Sequence, residues 1–344
     1  MKKIISTFGA FIFFCTIGYS QYTQIKGFVN LNYFADFNKD SAGSHSNNYF
    51  RLGQYDFFVT SQVTDKISML GESVFEYSTD FGVDVERLFM KYNYDNHFAI
   101  SGGKFHSPIG YWNNAFHHGL VIQPLMIRPD AIRFEDDGGI LPVHETGIQF
   151  DYEHMTSSNI GINVLISNGL GSTPISDQNN DKAVTANLHM EPMENFVLTA
   201  SAYYNQGPPQ FMNPQGIEVY NPTTTTILNG SIAYMNGRLP IEFIGEYYSI
   251  NQDEDSIGLR NKVTQVIELY AGYKIKKFTI YANYEQNIYP TGIEYYIKDN
   301  IMAIIGGIRY KPSPISVIKL QYRYHDSEIY GVHNFIEAQW AIGF

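Results

Sequence analysis

Along most of the chain, apolar and polar side chains alternate with a period of two. An extended strand points successive side chains to opposite faces, so such a run builds a strand with one apolar and one polar face. Near the C-terminus, Ile336, Ala338, Trp340, Ile342 and Phe344 share one face, while Glu337, Gln339, Ala341 and Gly343 share the other. Phe278, Ile280, Ala282 and Tyr284 alternate with Thr279, Tyr281, Asn283 and Glu285. Ile241, Phe243, Gly245 and Tyr247 alternate with Glu242, Ile244, Glu246 and Tyr248. The first strand repeats the pattern, with Ile25, Gly27, Val29 and Leu31 set against Lys26, Phe28, Asn30 and Asn32. Helical periodicity is scarce.

Two architectures produce this alternation. A sandwich turns its apolar faces toward a shared core, whereas a transmembrane barrel turns them toward lipid and keeps polar residues inside. Two features favour the barrel. Apolar faces end in aromatics, as in Leu88, Met90, Tyr92, Tyr94 and in Ile318, Leu320, Tyr322, Tyr324, which suits girdles at two membrane interfaces. Connections also alternate in length, short at 64–66, 94–97, 192–195, 235–239, 275–277 and 311–314, and long at 38–47, 106–140, 167–182, 206–225, 251–261, 290–300 and 325–333. The spacing predicts about sixteen strands, over 22–37, 48–63, 66–79, 83–94, 97–106, 141–153, 157–168, 183–191, 195–206, 225–235, 240–250, 262–275, 277–289, 299–311, 314–325 and 333–344. The expected fold is an all-β, transmembrane antiparallel β-barrel of about sixteen strands whose long third outer loop folds inward. A barrel of that size leaves an aqueous channel.

The N-terminus indicates a compartment. Lys2 and Lys3 precede an apolar stretch from 4 to 18, and Gly18 and Ser20 supply small residues for cleavage. Residues 1–20 therefore read as a secretory signal peptide, and 21–344 as the barrel. Cleavage removes Cys15, the single Cys, which excludes a disulfide scaffold and Cys-ligated metals in the mature chain. Charged residues are 17% of the chain, below the usual share of about 25%, and the net charge is −11. An acidic chain is not suited to duplex nucleic acid, which calls for a basic surface.

The segment 106–145 concentrates polar groups. Lys104, His106, Trp112, Asn113, Asn114, His117, His118, Arg128, Arg133, Glu135, Asp136, Asp137 and Glu145 are candidates for lining a constriction. Leu120, Val121, Ile122, Leu125, Met126 and Ile127 would pin the segment against the inner wall, since an exposed loop has little use for so many apolar residues. Arg128 and Arg133 facing Glu135, Asp136 and Asp137 would set a transverse field across a pore. Alternatively they pair and hold the loop together. Parity places Glu72, Glu76, Arg87, Lys91, Glu242, Glu246, Glu268, Glu285, Lys319, Arg323 and Glu337 on the lumen face. Acids outnumber bases there, which implies a weak preference for cations. The histidines lack metal-motif spacing, so no metal and no cofactor are expected. Ser101, Ser107 and His106 lack a nucleophile elbow, which argues against a hydrolase and for no enzymatic activity.

The alternation ending in Trp340, Ile342 and Phe344 resembles the signature by which the barrel-assembly machinery reads the final strand of bacterial outer-membrane proteins. More broadly the chain resembles porins of the Bacteroidota outer membrane, loosely those of the phosphate-selective type, most specifically over the stretch from Gly103 to Asn113 (GKFHSPIGYWN). No dense Lys/Arg cluster accompanies it. The resemblance implies passage of small hydrophilic solutes or ions, with outer-membrane lipid and lipopolysaccharide around the barrel and, by analogy, a homotrimer. The alternatives are a surface receptor or transport barrel for one nutrient, or an outer-membrane hydrolase.

Overall fold

The computed structural model describes residues 22–38, 48–77, 81–116, 121–134, 138–155, 158–169, 176–177, 179–207, 211–212, 218–219, 222–254, 258–292 and 299–344. The strands are β1 (Tyr22–Asp36), β2 (Asn48–Gln62), β3 (Ile67–Tyr77), β4 (Phe81–Asn93), β5 (Phe98–His106), β6 (His144–His154), β7 (Ile160–Ser167), β8 (Ala183–Met193) and β9 (Phe196–Gln206). They continue with β10 (Phe211–Met212), β11 (Glu218–Val219), β12 (Thr224–Tyr234), β13 (Ile241–Glu254), β14 (Leu259–Ile275), β15 (Phe278–Ile288), β16 (Ile301–Ser313), β17 (Ser316–Ser327) and β18 (Gly331–Gly343). All but β10 and β11 form one closed antiparallel barrel of 16 strands, each paired with its neighbour in sequence, closed where β1 meets β18. The pair β10–β11 is a small separate hairpin within the β9–β12 connection, which the alternation did not announce.

Burial is inverted relative to a soluble protein. On β14, Leu269 is 50% exposed and Tyr273 52%, while Glu268, next to Leu269, is 0% exposed. The outward residues form an apolar band, and carboxylates and amides face the interior. This is the pattern of a barrel whose outside is lipid. Closing the sheet removes every edge, so all barrel strands find backbone partners on both sides.

The seam depends on one close approach. Gly27 N–H donates to the Phe344 carbonyl and Phe344 N–H to the Gly27 carbonyl, both at 2.9 Å. A Cβ on Gly27 would lie 2.5 Å from the Asp56 carbonyl oxygen and 2.5 Å from the Phe344 ring, so only glycine fits without displacement. The Phe344 ring lies 6.0 Å from both Tyr55 and Phe57.

Short turns close one end of the barrel. Asn195, Asn236 and Lys276 hold positive φ there, at 64°, 58° and 56°. Asn tolerates that conformation, whereas Lys does not favour it. In the turn before β5, the Asp95 carboxylate accepts from the backbone N–H groups of His97 and Phe98, each at 2.8 Å. Those two bonds hold its pKa below the usual carboxylate range.

Two connections expected to be long are short. β13 runs on to Glu254 and β14 starts at Leu259, so the expected 251–261 loop shrinks to 255–258. Likewise β17 reaches Ser327 and β18 starts at Gly331, leaving 328–330. Polar residues that read as loop, among them Asn251, Gln252, Asp326 and His333, keep pairing in the ladder. Backbone pairing continues beyond the apolar band because antiparallel bonding does not require an apolar face.

Candidate functional site

The connection between β5 and β6 crosses the barrel interior. Its neck is tied by the Ser107 N–H to the Val143 carbonyl at 2.8 Å, and the Asn113 amide donates to the Ser107 carbonyl at 2.8 Å. The chain then makes one short helix, α1 (Tyr111–Ala115), and later a 3-10 turn (Asp130–Ile132).

The start of α1 is held by the opposite wall. The Glu246 carboxylate, on β13, accepts from Tyr111 N–H at 2.6 Å and from Trp112 N–H at 3.3 Å. It also accepts from the hydroxyls of Ser231 at 2.8 Å and Tyr248 at 3.0 Å. These bonds satisfy the free N–H groups of the first helical turn from a distant strand. Gly110 brings the backbone in close at φ 76°, where a Cβ would lie 2.1 Å from the Tyr248 hydroxyl. Its N–H donates to Ser201 Oγ on β9 at 3.2 Å. Burial pushes the Tyr111 phenol up to about 12, and the Glu246 charge adds to that rise.

Apolar side chains fill the contact. Ile109, Trp112, Phe116, Leu125, Ile132 and Phe134 of the segment are buried in one cluster with the wall residues Ile227, Ile244, Tyr248, Val266, Tyr270, Tyr281 and Ile305. Trp112 is 0% exposed. Further along, Val121 packs against Val317 and Ala341, near the short-turn end.

The second half of the segment is tethered by polar bonds to β15–β18. Lys319 Nζ donates to the Leu125 carbonyl at 2.7 Å, Met126 N–H to Gln321 Oε1 at 3.2 Å, and Gln339 Nε2 to the Met126 carbonyl at 3.3 Å. Ala131 N–H donates to Glu285 Oε1 at 3.3 Å. Asp130 pairs with Arg133, and His325 Nε2 lies 3.0 Å from Asp130 Oδ2. Burial acts to raise the Asp130 carboxyl, but Arg133 and His325 outweigh it and hold the group well below its ordinary value.

Glu135, Asp136 and Asp137, expected to oppose Arg128 and Arg133, lie outside the described residues, and Arg133 pairs with Asp130. Arg128 donates to the carbonyls of Ile132 at 2.7 Å and Phe116 at 2.6 Å and to Asn113 Oδ1 at 3.3 Å, with its guanidinium 4.5 Å from the Phe134 ring centre. Its planar fork staples the loop to itself. Asn114 Nδ2 caps the Gly110 carbonyl at 2.5 Å. His106 and His144 sit side by side with ring centres 5.5 Å apart, and His144 Nε2 lies 2.8 Å from Glu86. Glu145 accepts from Gly169 N–H at 3.2 Å and the Tyr203 hydroxyl at 3.3 Å. Lys104 is a correction: it pairs with the exposed Leu88 and donates to the Val85 carbonyl, which places it on the outer face with Ile100. Its parity with Ile100 overrides its closeness to the loop. His117, His118, Glu135, Asp136, Asp137 and the Glu76 side chain lie outside the described residues.

The wall carries its charge in bands. Glu246, Glu268 and Glu285 stand directly opposite one another on β13, β14 and β15. Nearer the short turns, Lys274, Thr279, Arg309 and Lys319 form a row across β14–β17. Glu242 accepts from Arg309 and from the Tyr270 hydroxyl at 2.5 Å, and Lys274 lies 3.3 Å away. Glu337 binds Arg323 at 2.8 Å and Gln321 at 2.6 Å. Glu72 pairs with Arg87, and Lys91 with Asp151 at 3.2 Å. Among the described residues no three His, Cys, Asp or Glu side chains are arranged to hold a metal ion. The Ser107 hydroxyl donates to the Pro142 carbonyl rather than to a histidine.

Sequence reasoning missed the wall groups that receive the loop, chiefly Ser201, Ser231, Tyr248, Gln321, His325 and Gln339. Ile244 carried a signal, since an apolar residue on the polar face of β13 calls for apolar cover.

No protein-family profile matches the chain, and no curated protein matches it in sequence. Solved structures share its fold. A loop-deletion form of OmpT, an outer membrane protein of Vibrio cholerae, superposes with TM-score 0.65 at 14% identity, covering 95% of this chain and 100% of that one. The anion-selective porin of Comamonas acidovorans gives 0.64 at 12% identity, over 94% and 100%. OmpF of Salmonella typhi gives 0.64 at 14% identity, over 94% and 97%. The chain thus has the fold of outer-membrane porins.

Proposed function

We propose that the chain is an outer-membrane porin, a passive diffusion channel for small hydrophilic solutes or ions. The segment 106–140 sets its size and charge limit. One observation carries this reading: within a closed 16-strand barrel, the β5–β6 connection is bonded across the interior to β9, β12, β13 and β15–β18. A loop fixed there by its own backbone narrows whatever passes. The shared fold with the anion-selective porin and OmpF supports it.

In this reading residues 1–20 are a secretory signal peptide, the short turns face the periplasm, and Trp340, Ile342 and Phe344 present the final strand to the assembly machinery. Lipid and lipopolysaccharide contact the apolar band. One structural neighbour is a trimer form of OmpT, which supports a homotrimer here. Several interior acids are neutralised by Arg309, Arg323 and Arg87, so the cation preference is weak. No catalytic role is assigned.

The apolar cluster inside the barrel favours a second reading, a narrow conduit for one nutrient. Single-channel recording in planar bilayers separates the two. Stepwise ohmic conductance with reversal potentials displaced toward cations in a KCl gradient is expected. Absence of conductance steps overturns the open-channel reading, and clear anion selectivity overturns the charge assignment.

A further inference from the structure

Aromatic side chains face the inside of the barrel on β1 and β2, which a passage for hydrophilic solutes does not by itself call for. Residues directly opposite on neighbouring strands share a face. Phe34 on β1 stands opposite Glu337, and Phe28 opposite Asp56; both acids are buried inside the wall. On β2, Tyr49 stands opposite Phe34, and Phe58 stands opposite the interior Glu72. All four rings therefore point inward, away from the apolar outer band. Phe28, Phe34 and Phe58 are half-buried, and Tyr49 is 51% exposed.

The rings form two patches. Phe34 and Tyr49 lie toward the long loops, with ring centres 5.5 Å apart at 30°. Phe28 and Phe58 lie toward the short turns, 5.3 Å apart and edge to face. From Phe28 to Phe34 the strand advances roughly 20 Å. Asn30 and Asn32 face inward between the patches. Gln339 Nε2 donates both to Asn32 Oδ1 at 3.0 Å and to the Met126 carbonyl of the crossing loop at 3.3 Å. The patches thus lie on either side of the level where the loop is tied to this wall. Each has a guanidinium beside it. Arg51, exposed and opposite Asn32, faces inward next along β2 from Tyr49 on the same face. The Arg87 guanidinium lies 5.5 Å from the Phe58 ring centre, and its side chain is 22% exposed.

An aromatic face left bare to water is unfavourable. That face carries partial negative charge and attracts polarised C–H groups. A pyranose ring offers C–H groups on its faces and hydroxyls around its rim, which the neighbouring arginines can reach. With centres 5.5 and 5.3 Å apart, neither pair of rings opens into a slot that would clamp a flat heteroaromatic ring. We propose that Phe34–Tyr49 and Phe28–Phe58 are two stations for a linear oligosaccharide, one before and one after the constriction. Arg51 and Arg87 donate to its hydroxyls at the two stations. Weak, repeated stations suit passage, since each must hold the solute and then release it. The inference deepens the channel reading and rests on it for transport, whereas sugar binding itself does not require conduction.

The test uses the full chain refolded in detergent, with heat-modifiable gel migration confirming the folding of each variant. Maltohexaose and cellohexaose are added to single channels in planar bilayers. Polyethylene glycol of matched mass serves as a flexible chain without ring faces. One of the hexasaccharides should interrupt the current at roughly millimolar concentration, and the polyether should not do so equally. Tyr49→Ala should raise the half-blocking concentration about tenfold, and Tyr49→Phe should leave it at the wild-type value. Tyr204→Ala, on the lipid-facing side of β9, should also leave it unchanged. Equal block by sugar and polyether, or no block by either sugar, overturns the proposal. So does an unchanged half-blocking concentration in both Tyr49→Ala and Phe34→Ala, since the sugar is then held elsewhere. If the wild type conducts no current, the channel reading fails by itself, and calorimetric titration with the same hexasaccharides decides the stations. Binding heat that Tyr49→Ala loses supports them; no heat, or heat that this variant leaves unchanged, overturns them.

Discussion

Trp112→Ala is the sharpest test of what the crossing segment does. Trp112 is 0% exposed, is packed against Phe116 with ring centres 5.2 Å apart, and lies in the cluster that joins the loop to the wall. Removing a large aromatic from such a site costs about 3–5 kcal/mol, through lost burial and the cavity left behind. The backbone bonds to Glu246 remain, so the loss falls on apolar docking alone. The barrel ladder is independent of this contact, because every strand keeps both neighbours. The cost therefore lands on the equilibrium between docked and undocked loop. By the relation of about 1.4 kcal/mol per factor of ten, the undocked population rises roughly 10²-fold or more. Limited proteolysis should cut within 107–143 far faster, single-channel conductance should rise and become noisier, and the melting of the barrel should shift little. If proteolysis shows the loop loosened while conductance and noise stay at wild-type values, the loop does not set the constriction. If the whole barrel melts early, the cluster belongs to the same cooperative unit as the ladder.

Asp130 supplies a pH test. Its folded pKa is depressed, so its stabilisation of the loop is fully present above the unfolded value of about 4 and is lost as pH falls from there through the folded value. Loop proteolysis should accelerate only in that acid range, and Asp130→Asn should abolish the pH dependence; an unchanged acid limb in the variant would refute the assignment. In the two-residue turn before β15, Lys276→Asn relieves a left-handed conformation that costs an L-residue about 1–2 kcal/mol. A rise of up to about 1 kcal/mol in denaturant stability is expected, and a fall would show that the Lys276 side chain contributes more than its backbone strain removes.

The fold was legible because parity is a two-state signal repeated sixteen times over. Each strand reports only which residues face together, but Glu242, Glu246, Glu268, Glu285 and Glu337 on one face and Ile241, Leu269, Ile280, Ile336 and Trp340 on the other admit a single consistent inside and outside. Strand ends were less legible. Pairing beyond the apolar band is carried by polar residues such as Asn251 and Asp326, whose side chains also suit loops. The loop was legible in composition but not in geometry. Arg128 and Arg133 read equally as pore lining and as internal pairing, and only the three-dimensional contacts show them engaged with loop carbonyls and Asp130. Lys104 is adjacent to the loop in sequence but shares the parity of Ile100, and the pleat of β5 rather than that proximity sets its face.

The interior is asymmetric, and that asymmetry follows from which strands carry inward apolar residues. Ile227, Ile244, Ile250, Val266 and Ile305 on β12–β14 and β16 make a water-filled lumen unfavourable along that arc, and the segment from Ile109 to Phe134 covers them. The other arc carries a ladder of amides and hydroxyls instead. Asn163 donates to Asp151 at 2.8 Å, Gln149 donates to Asp151 at 2.7 Å, and Asn187 donates to Ser201 at 2.8 Å. Its basic members keep contact with solvent, with Lys91 and Arg87 side chains 35% and 22% exposed, while the acids Glu72 and Asp56 are buried. On the channel reading, water and solute therefore run along β3–β8, where the wall is polar and open. The loop does not plug the barrel at random; it occupies the half whose own side chains would otherwise be poorly solvated. The same division explains why the acidic ladder cannot act simply as a lining of the open path. It lies behind the loop, where Glu246 and Glu285 accept from the backbone N–H groups of Tyr111, Trp112 and Ala131.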